Sequence, residues 1–245
     1  MVNLTTMSNV DILVFGSHPD DIELSCGGTI LSHSNMGYKI GLIDLTRGEL
    51  GTRGTPEIRL KESKIAAENL GVEFRENLEL EDGFFQLDEI NKTKVITKIR
   101  QYTPSVVICN APQDRHPDHG RGSQLVVDSC FLSGLEKIKT FYNGEAQNTY
   151  RPKNIFHYIQ YDELKPDFLI DISKFMSKKM DVIKLYKSQF YNPESTESKT
   201  LISEKRFLES VISRSANLGR IISTDFAEGF ISKKIIGTDD LTKFI

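Results

Sequence analysis

The 245-residue chain has no tryptophan and three cysteines, Cys26, Cys109 and Cys130, far apart and with no C-x-x-C pair among them. This is no disulfide framework, and a closed structural zinc knot would want more thiolates than the spacing offers. Each cysteine is expected to be a small buried apolar residue. No stretch approaches the ~18 consecutive apolar residues of a membrane span. Residues 1–9 lack the charged start and apolar stretch of a secretory leader. With a net charge of -3 and no block of Lys or Arg, a nucleic-acid partner has no electrostatic footprint. These absences predict a cytoplasmic protein with a small-molecule ligand and neither a nucleic-acid nor a membrane partner.

Histidine is also scarce, five in all, yet three of the five fall in two short windows. His18-Pro19-Asp20-Asp21 follows the apolar run Ile12-Leu13-Val14-Phe15. His116-Pro117-Asp118-His119 follows the run Val106-Val107-Ile108-Cys109. His33 and His157 stand alone.

Residues 10–15 read as a buried strand, 22–35 as a helix and 39–45 as a strand, which makes a βαβ unit. A helix is expected at 57–70, entered through Pro56 and closed by Gly71. Residues 72–80 read as extended, 88–102 as a helix and 105–110 as a strand. Residues 138–153 read as a surface loop, 154–160 and 168–172 as strands, 174–187 and 203–217 as helices, and 192–200 as a mobile polar loop. No linker or repeat divides the chain, so residues 1–245 are expected to form a single domain. Alternating strands and helices predict a Rossmann-like three-layer α/β/α fold with a mostly parallel sheet. In such folds ligands collect at the C-terminal ends of the strands, where both windows fall.

A catalytic zinc takes three protein ligands from His and carboxylate and keeps one position for water. His18, one of Asp20 and Asp21, and one of His116 and His119 would supply that set, leaving a carboxylate and an imidazole for proton transfer and oxyanion stabilisation. Taken singly, a His-x-Asp after a strand is more often a turn whose Asp caps the next helix. Two such windows at equivalent strand ends favour one metal site. A two-metal phosphoesterase would need more carboxylates than the windows hold. Spacing alone does not choose between Asp20 and Asp21.

Three segments carry a resemblance: Gly16-Ser17-His18-Pro19-Asp20-Asp21-Ile22-Glu23, the stretch from Leu45 to Arg59, and Asp114-Arg115-His116-Pro117-Asp118-His119-Gly120. They resemble the LmbE-like/PIG-L family of zinc-dependent N-acetylglucosaminyl deacetylases. Lys187-Ser188-Gln189-Phe190 and Phe226-Ala227-Glu228-Gly229-Phe230 are similar to the bacillithiol-biosynthesis branch, whose members deacetylate N-acetylglucosaminyl malate. The resemblance implies a hydrolase of an acetamido sugar, with His18, Asp21 and His119 as metal ligands and Asp20 as general base. It further implies His116 as the imidazolium near the acetyl oxygen or leaving amine, with Asp118 orienting it and raising its pKa. Arg59 and Arg115 match positions that contact substrate or organise the pocket. Arg47 and Arg53 read equally well as solvated loop charges. The metal would be zinc, although iron (Fe2+) accepts the same donors. Deacetylation of an inositol glycoside or a chitin oligomer is the alternative reaction, and a noncatalytic sugar- or metal-binding protein the alternative class. Cytosolic sugar enzymes of this size are commonly homo-oligomers.

Overall fold

The structure, a computed structural model, describes residues 9–240 and residue 242. The leader-free reading of residues 1–9 therefore falls, but for residue 9, outside the described range.

Strand β1 (Ile12–Gly16) is buried along its whole length. Its side chains alternate between two cores, Ile12 and Val14 on one face of the sheet and Leu13 and Phe15 on the other. Burial on both faces is what an unbroken apolar run requires, and it is the habit of parallel strands. Helix α1 (Asp21–Asn35) follows, then β2 (Ile40–Thr46), which pairs parallel to β1. Helix α2 (Pro56–Leu70) starts with Pro56 in its first turn and the Thr55 hydroxyl accepting from the Ile58 N–H at 3.3 Å. Gly71 ends it in the left-handed region at φ 70°, a conformation that costs glycine no Cβ clash. β3 (Phe74–Leu80), α3 (Glu89–Tyr102), β4 (Val106–Cys109) and α4 (Pro117–Leu132) complete the parallel half.

Beyond it come a short hairpin of β5 (Phe141–Tyr142) and β6 (Glu145–Ala146), then β7 (Asn154–Tyr158), β8 (Phe168–Asp171) and α5 (Met176–Ile183). Helix α6 (Lys205–Gly219) and β9 (Ala227–Ser232) follow. The main sheet has the order β3-β2-β1-β4-β7-β9-β8, with β9 antiparallel to both of its neighbours. Helices α1, α2, α5 and α6 pack on one face, α3 and α4 on the other. The protein is thus a three-layer α/β fold with a mostly parallel sheet.

Several expected elements change. Residues 138–153 contain the β5–β6 hairpin, turned by Asn143 and Gly144, both at positive φ. The helix expected at 174–187 covers only Met176–Ile183. Helix α4 and strand β9 form where none was expected.

The connectivity positions the site. The chain leaves β1 toward β2 on one side, while β4 lies against β1 on the other. Loops leaving β1 and β4 therefore part to opposite sides and leave a crevice between them, the switch point where open α/β sheets bind ligands.

Candidate metal centre and active site

The β1–α1 loop carries His18 and Asp20 and α1 opens with Asp21, while the β4–α4 loop with the first turn of α4 carries His116, Asp118 and His119. The three imidazoles meet at the crevice. Ring centroids lie 4.6 Å apart for His18 and His116, 5.2 Å for His116 and His119, and 5.6 Å for His18 and His119.

Each histidine is held through one ring nitrogen so that the other faces its neighbours. His18 Nε2 lies 3.0 Å from Asp82 Oδ1 and 3.4 Å from Asp118 Oδ2, both acceptors, so it carries the proton. Its Nδ1 is 3.4 Å from Asp21 Oδ2. His119 Nδ1 donates to Asp114 Oδ2 at 2.6 Å, and its Nε2 is 3.2 Å from Asp21 Oδ1. Donors about 2.0–2.1 Å from a tetrahedral ion sit about 3.3 Å from one another. The spacings to Asp21 suit such an ion, and carboxylates on the far ring nitrogens are the usual support of metal-bound histidines. Burial disfavours charge on His18 and His119. The facing carboxylates outweigh it, lifting His18 well above its ordinary value and His119 to about 9. The carboxylates that favour a proton on each ring also favour a cation in its place.

Asp21 accepts from the His18 backbone N–H at 2.9 Å, Asn110 Nδ2 at 3.2 Å and Gln160 Nε2 at 2.7 Å. Burial works against its charge, but His119 and His18 hold its pKa well below the carboxylate range. Among the described residues, two groupings of ligand-type side chains are tight enough for one ion: His18 with His116 and His119, and His18 with Asp82 and Asp118. Asp21 touches His18 and His119 through different oxygens. Asp82 and Asp118 thus face the Nε2 edge of His18, and Asp21 bridges the Nδ1 edge of His18 and Nε2 of His119.

Asp20 stands at φ 112°, a left-handed backbone that side-chain-bearing residues rarely adopt. That turn sends the two adjacent carboxylates to different partners. Asp20 Oδ2 accepts from Arg59 Nη2 at 3.1 Å. Burial lifts its pKa to about 7 against the pull of the guanidinium. A carboxylate in that range suits general-base work near neutral pH.

Two expected roles change. The Asp118 carboxylate does not meet the His116 ring: it accepts from Gly83 N at 2.7 Å and Arg121 Nη1 at 2.7 Å, and faces His18. Instead the Asp118 backbone N–H donates to His116 Nδ1 at 3.2 Å, making His116 the cap of α4. Its Nδ1 must accept, so the proton sits on Nε2. Burial and the neighbouring His18 and His119 charges lower its pKa to about 4, the reverse of the expected rise. Arg59, expected to contact substrate or organise the pocket, lines the cavity at 5% exposure and is bound to Pro19 O, Gly48 O and Asp20. It braces Asp20; Gly48, at φ 66°, leaves room for its guanidinium that a side chain would fill. Arg53 is buried rather than solvated, donating to Ser188 O at 2.8 Å and Ser195 Oγ at 2.8 Å. The bond to Ser195, with one from Arg53 Nη1 to Ser198 O at 3.5 Å, ties Arg53 to residues 192–200, the segment expected to be mobile. Arg115 is exposed, stacks on Tyr161 with its guanidinium carbon 4.9 Å from the ring centroid, and lines the cavity. Arg47 is exposed.

Asp82, Asp114 and Gln160 were not anticipated as parts of the site. Asp114 lay within a quoted motif, but a lone Asp after β3 and a Gln after β7 give no local signal. A cavity of about 360 Å³ opens over the cluster, walled by the loops after β1, β2 and β4 and by α6.

The PIG-L model, described as GlcNAc-PI de-N-acetylase, matches residues 13–130, the stretch that runs from β1 into α4. The diacetylchitobiose deacetylase of Thermococcus kodakarensis is 29% identical over 189 residues, covering 73% of this chain and 70% of that protein. The probable N-acetyl-alpha-D-glucosaminyl L-malate deacetylase 2 of Bacillus anthracis is 26% identical over 193 residues, covering 73% and 81%. A 4-oxalmesaconate hydratase of Pseudomonas putida is 25% identical over 194 residues, covering 72% and 73%. The crystal structure of a conserved protein from Thermus thermophilus superposes with a TM-score of 0.83 at 33% identity, covering 94% of this chain and 98% of that one. With the paired His/Asp loops at adjacent strand ends, the PIG-L match from β1 into α4 and deacetylase relatives aligned over 73% of the chain, the protein belongs to the PIG-L family.

Proposed function

We propose that this protein is a metal-dependent N-deacetylase of a small acetamido sugar, with His18, Asp21 and His119 as metal ligands. The observation that carries this reading is Asp20, a buried carboxylate with a pKa of about 7 placed beside the histidine cluster and free of the metal-facing contacts that Asp21 makes. A divalent cation held by the three ligands would polarise the acetyl carbonyl and lower the pKa of water.

In the reaction, Asp20 takes a proton from the attacking water as the new C–O bond forms. Arg59 keeps Asp20 in place. His116, its Nδ1 engaged with the Asp118 N–H, presents Nε2–H to the carbonyl oxygen as negative charge grows there. Collapse of the tetrahedral species breaks the C–N bond, and Asp20 returns its proton to the departing nitrogen. Acetate and a free amine result.

Zinc is the metal that best suits two imidazoles and one carboxylate with a position left for water. For the substrate we propose N-acetylglucosaminyl malate, which would put the protein in bacillithiol biosynthesis. The exposed Arg115 at the cavity mouth supports an anionic aglycone. A chitin-type disaccharide is the second reading, favoured by the apolar wall of Ile202, Phe207 and Val211 that would face a sugar ring.

The test is mass-spectrometric detection of acetate and free amine from a set of acetamido sugars incubated with the zinc-loaded protein. Acetate release separates this reading from hydration, the reaction named for the Pseudomonas relative. Asp20→Asn should keep its metal and lose roughly 10²-fold or more in turnover. Near wild-type turnover would sink the assignment of Asp20.

A further inference from the structure

The mouth of the cavity has a feature that the deacetylation chemistry does not use. Tyr161 lies between two residues tied to the reacting centre. Gln160 donates to Asp21 at 2.7 Å, and the Asp162 N–H donates to Asp114, the carboxylate that holds His119, at 2.8 Å. Tyr161 is thereby fixed relative to the metal ligands. It carries two guanidinium groups, one on its ring and one on its carbonyl. Arg115 stacks on the ring at 4.9 Å, and Arg214, from α6, donates from Nη2 to the carbonyl at 2.6 Å.

Both arginines line the same cavity as His116 and His119. Among the described residues the Arg115 guanidinium has no hydrogen bond or ion pair, and Arg214 makes the single bond to Tyr161. The acids nearest Arg214 do not pair with it: Asp114 is occupied by His119 and two backbone N–H groups, and Glu163 and Asp162 make no salt bridge to it. Two held guanidiniums with donors to spare, beside a reaction site, are suited to a carboxylate or phosphate, which they bind through paired hydrogen bonds. Preorganisation by Tyr161 reduces the ordering that such binding would otherwise cost.

We propose that Arg214 and Arg115, mounted on Tyr161, form a subsite for an anionic group on the part of the substrate beyond the acetamido sugar. The proposal rests on the deacetylase reading above and names the residues that select within it. Arg59, committed to Asp20, Pro19 O and Gly48 O, is not part of this subsite. The subsite acts on specificity, because binding energy gained away from the reacting bond appears in kcat/KM.

The test compares three substrates on the zinc-loaded full-length protein: N-acetylglucosaminyl L-malate, its dimethyl ester, and N-acetylglucosamine 1-phosphate. The wild type should favour the malate diacid over the ester by about tenfold or more in kcat/KM at low salt, and the preference should shrink as salt rises. A preference extending to the 1-phosphate identifies a general anion subsite; one confined to the diacid identifies a carboxylate subsite; both support the proposal. Arg214→Gln keeps a donor for the Tyr161 carbonyl and removes the charge, so the diacid-to-ester ratio should fall about tenfold. Arg115→Met should lower the same ratio. An unchanged ratio in both variants, or a wild type that does not distinguish diacid from ester, overturns the proposal. If no acetamido sugar releases acetate, the deacetylase reading falls on its own. Calorimetric titration of the diacid and ester then decides the subsite: tighter binding of the diacid that Arg214→Gln abolishes upholds it, and equal binding of the two overturns it.

Discussion

His119 is held by a carboxylate five residues before it, whereas His18 is held by two carboxylates 64 and 100 residues away in the chain. The β4–α4 segment is therefore largely self-sufficient: Asp114, itself fixed by the N–H groups of Arg115 and Asp162, orients His119. The β1–α1 loop depends on tertiary structure, because Asp82 arrives from the end of β3 and Asp118 from the first turn of α4. The difference is one of redundancy. His119 has one supporting acid and His18 has two, so loss of a single support should fall more heavily on the locally built side.

The largest expected effect comes from removing the ligands themselves. His18→Ala or His119→Ala should abolish stoichiometric zinc in the purified protein, as read by elemental analysis, with both sides failing alike. Full zinc occupancy in either variant would remove that residue from the proposed ligand set.

The supporting acids separate the two sides. Loss of a carboxylate behind a ligating histidine typically weakens metal affinity by 10–100-fold. Asp114→Asn should show that full loss in a competitive chelator titration. Asp82→Asn should show less, because Asp118 Oδ2 remains 3.4 Å from the same nitrogen. The double variant Asp82→Asn/Asp118→Asn should then match Asp114→Asn. Equal losses for the two single variants would contradict the redundancy argument.

The same contrast explains what could be read without coordinates. His18, Asp20, Asp21, His116 and His119 lie in two contiguous windows after apolar runs, and strand order brings those runs side by side. Asp114 was within reach of the same logic, since it is local to its partner. Asp82 and Gln160 were not, because their meaning lies in contacts across the fold. Adjacency misled at Asp118: successive residues of a helix turn by about 100°, so residues two apart face nearly opposite ways. His116 caps α4 while Asp118 points back into the protein. Helix α4 itself opens with Gly120 and Gly122 and with polar residues, which hid a period that becomes apolar only at Leu125 and Val126. The strands β5 and β6 are two residues each, too short for any alternation to register.

Arg59 gives a smaller effect that can be read by pH. Asp20 must be ionised to act as base, so activity should fall as pH drops through its pKa of about 7. The Arg59 charge lowers that pKa against burial, and removing it should move the acid limb of the kcat/KM profile to higher pH. At pH 7 the loss should reach about fivefold if the limb moves by one unit, approaching tenfold only at lower pH. Arg59→Lys, which keeps a positive charge, should hold the limb nearer its original place than Arg59→Met. Identical limbs in wild type and Arg59→Met would mean that Arg59 serves the backbone carbonyls of Pro19 and Gly48 rather than the base.

Arg53 should matter least to the chemistry. It sits on the rim, where it joins the loop after β2 to residues 188–198 through Ser188 O, Ser195 Oγ and Ser198 O. Its Nε is 3.8 Å from Glu197 Oε2, but Glu197 is 45% exposed, so that pair adds little. Charged hydrogen bonds to neutral groups contribute about 1.5–3 kcal/mol each, and here they act on one segment rather than on the whole fold. Arg53→Met should therefore loosen residues 192–200, seen as faster amide hydrogen exchange and earlier protease cleavage there, while cleavage elsewhere is unchanged. Because Thr200, Leu201 and Ile202 form part of the cavity wall, KM should rise a few-fold with kcat nearly preserved. A variant with wild-type exchange in that segment would show that the packing of Ser188 and Gln189 holds the rim without Arg53. A fall in kcat at constant KM would mean instead that the rim reaches the reacting groups.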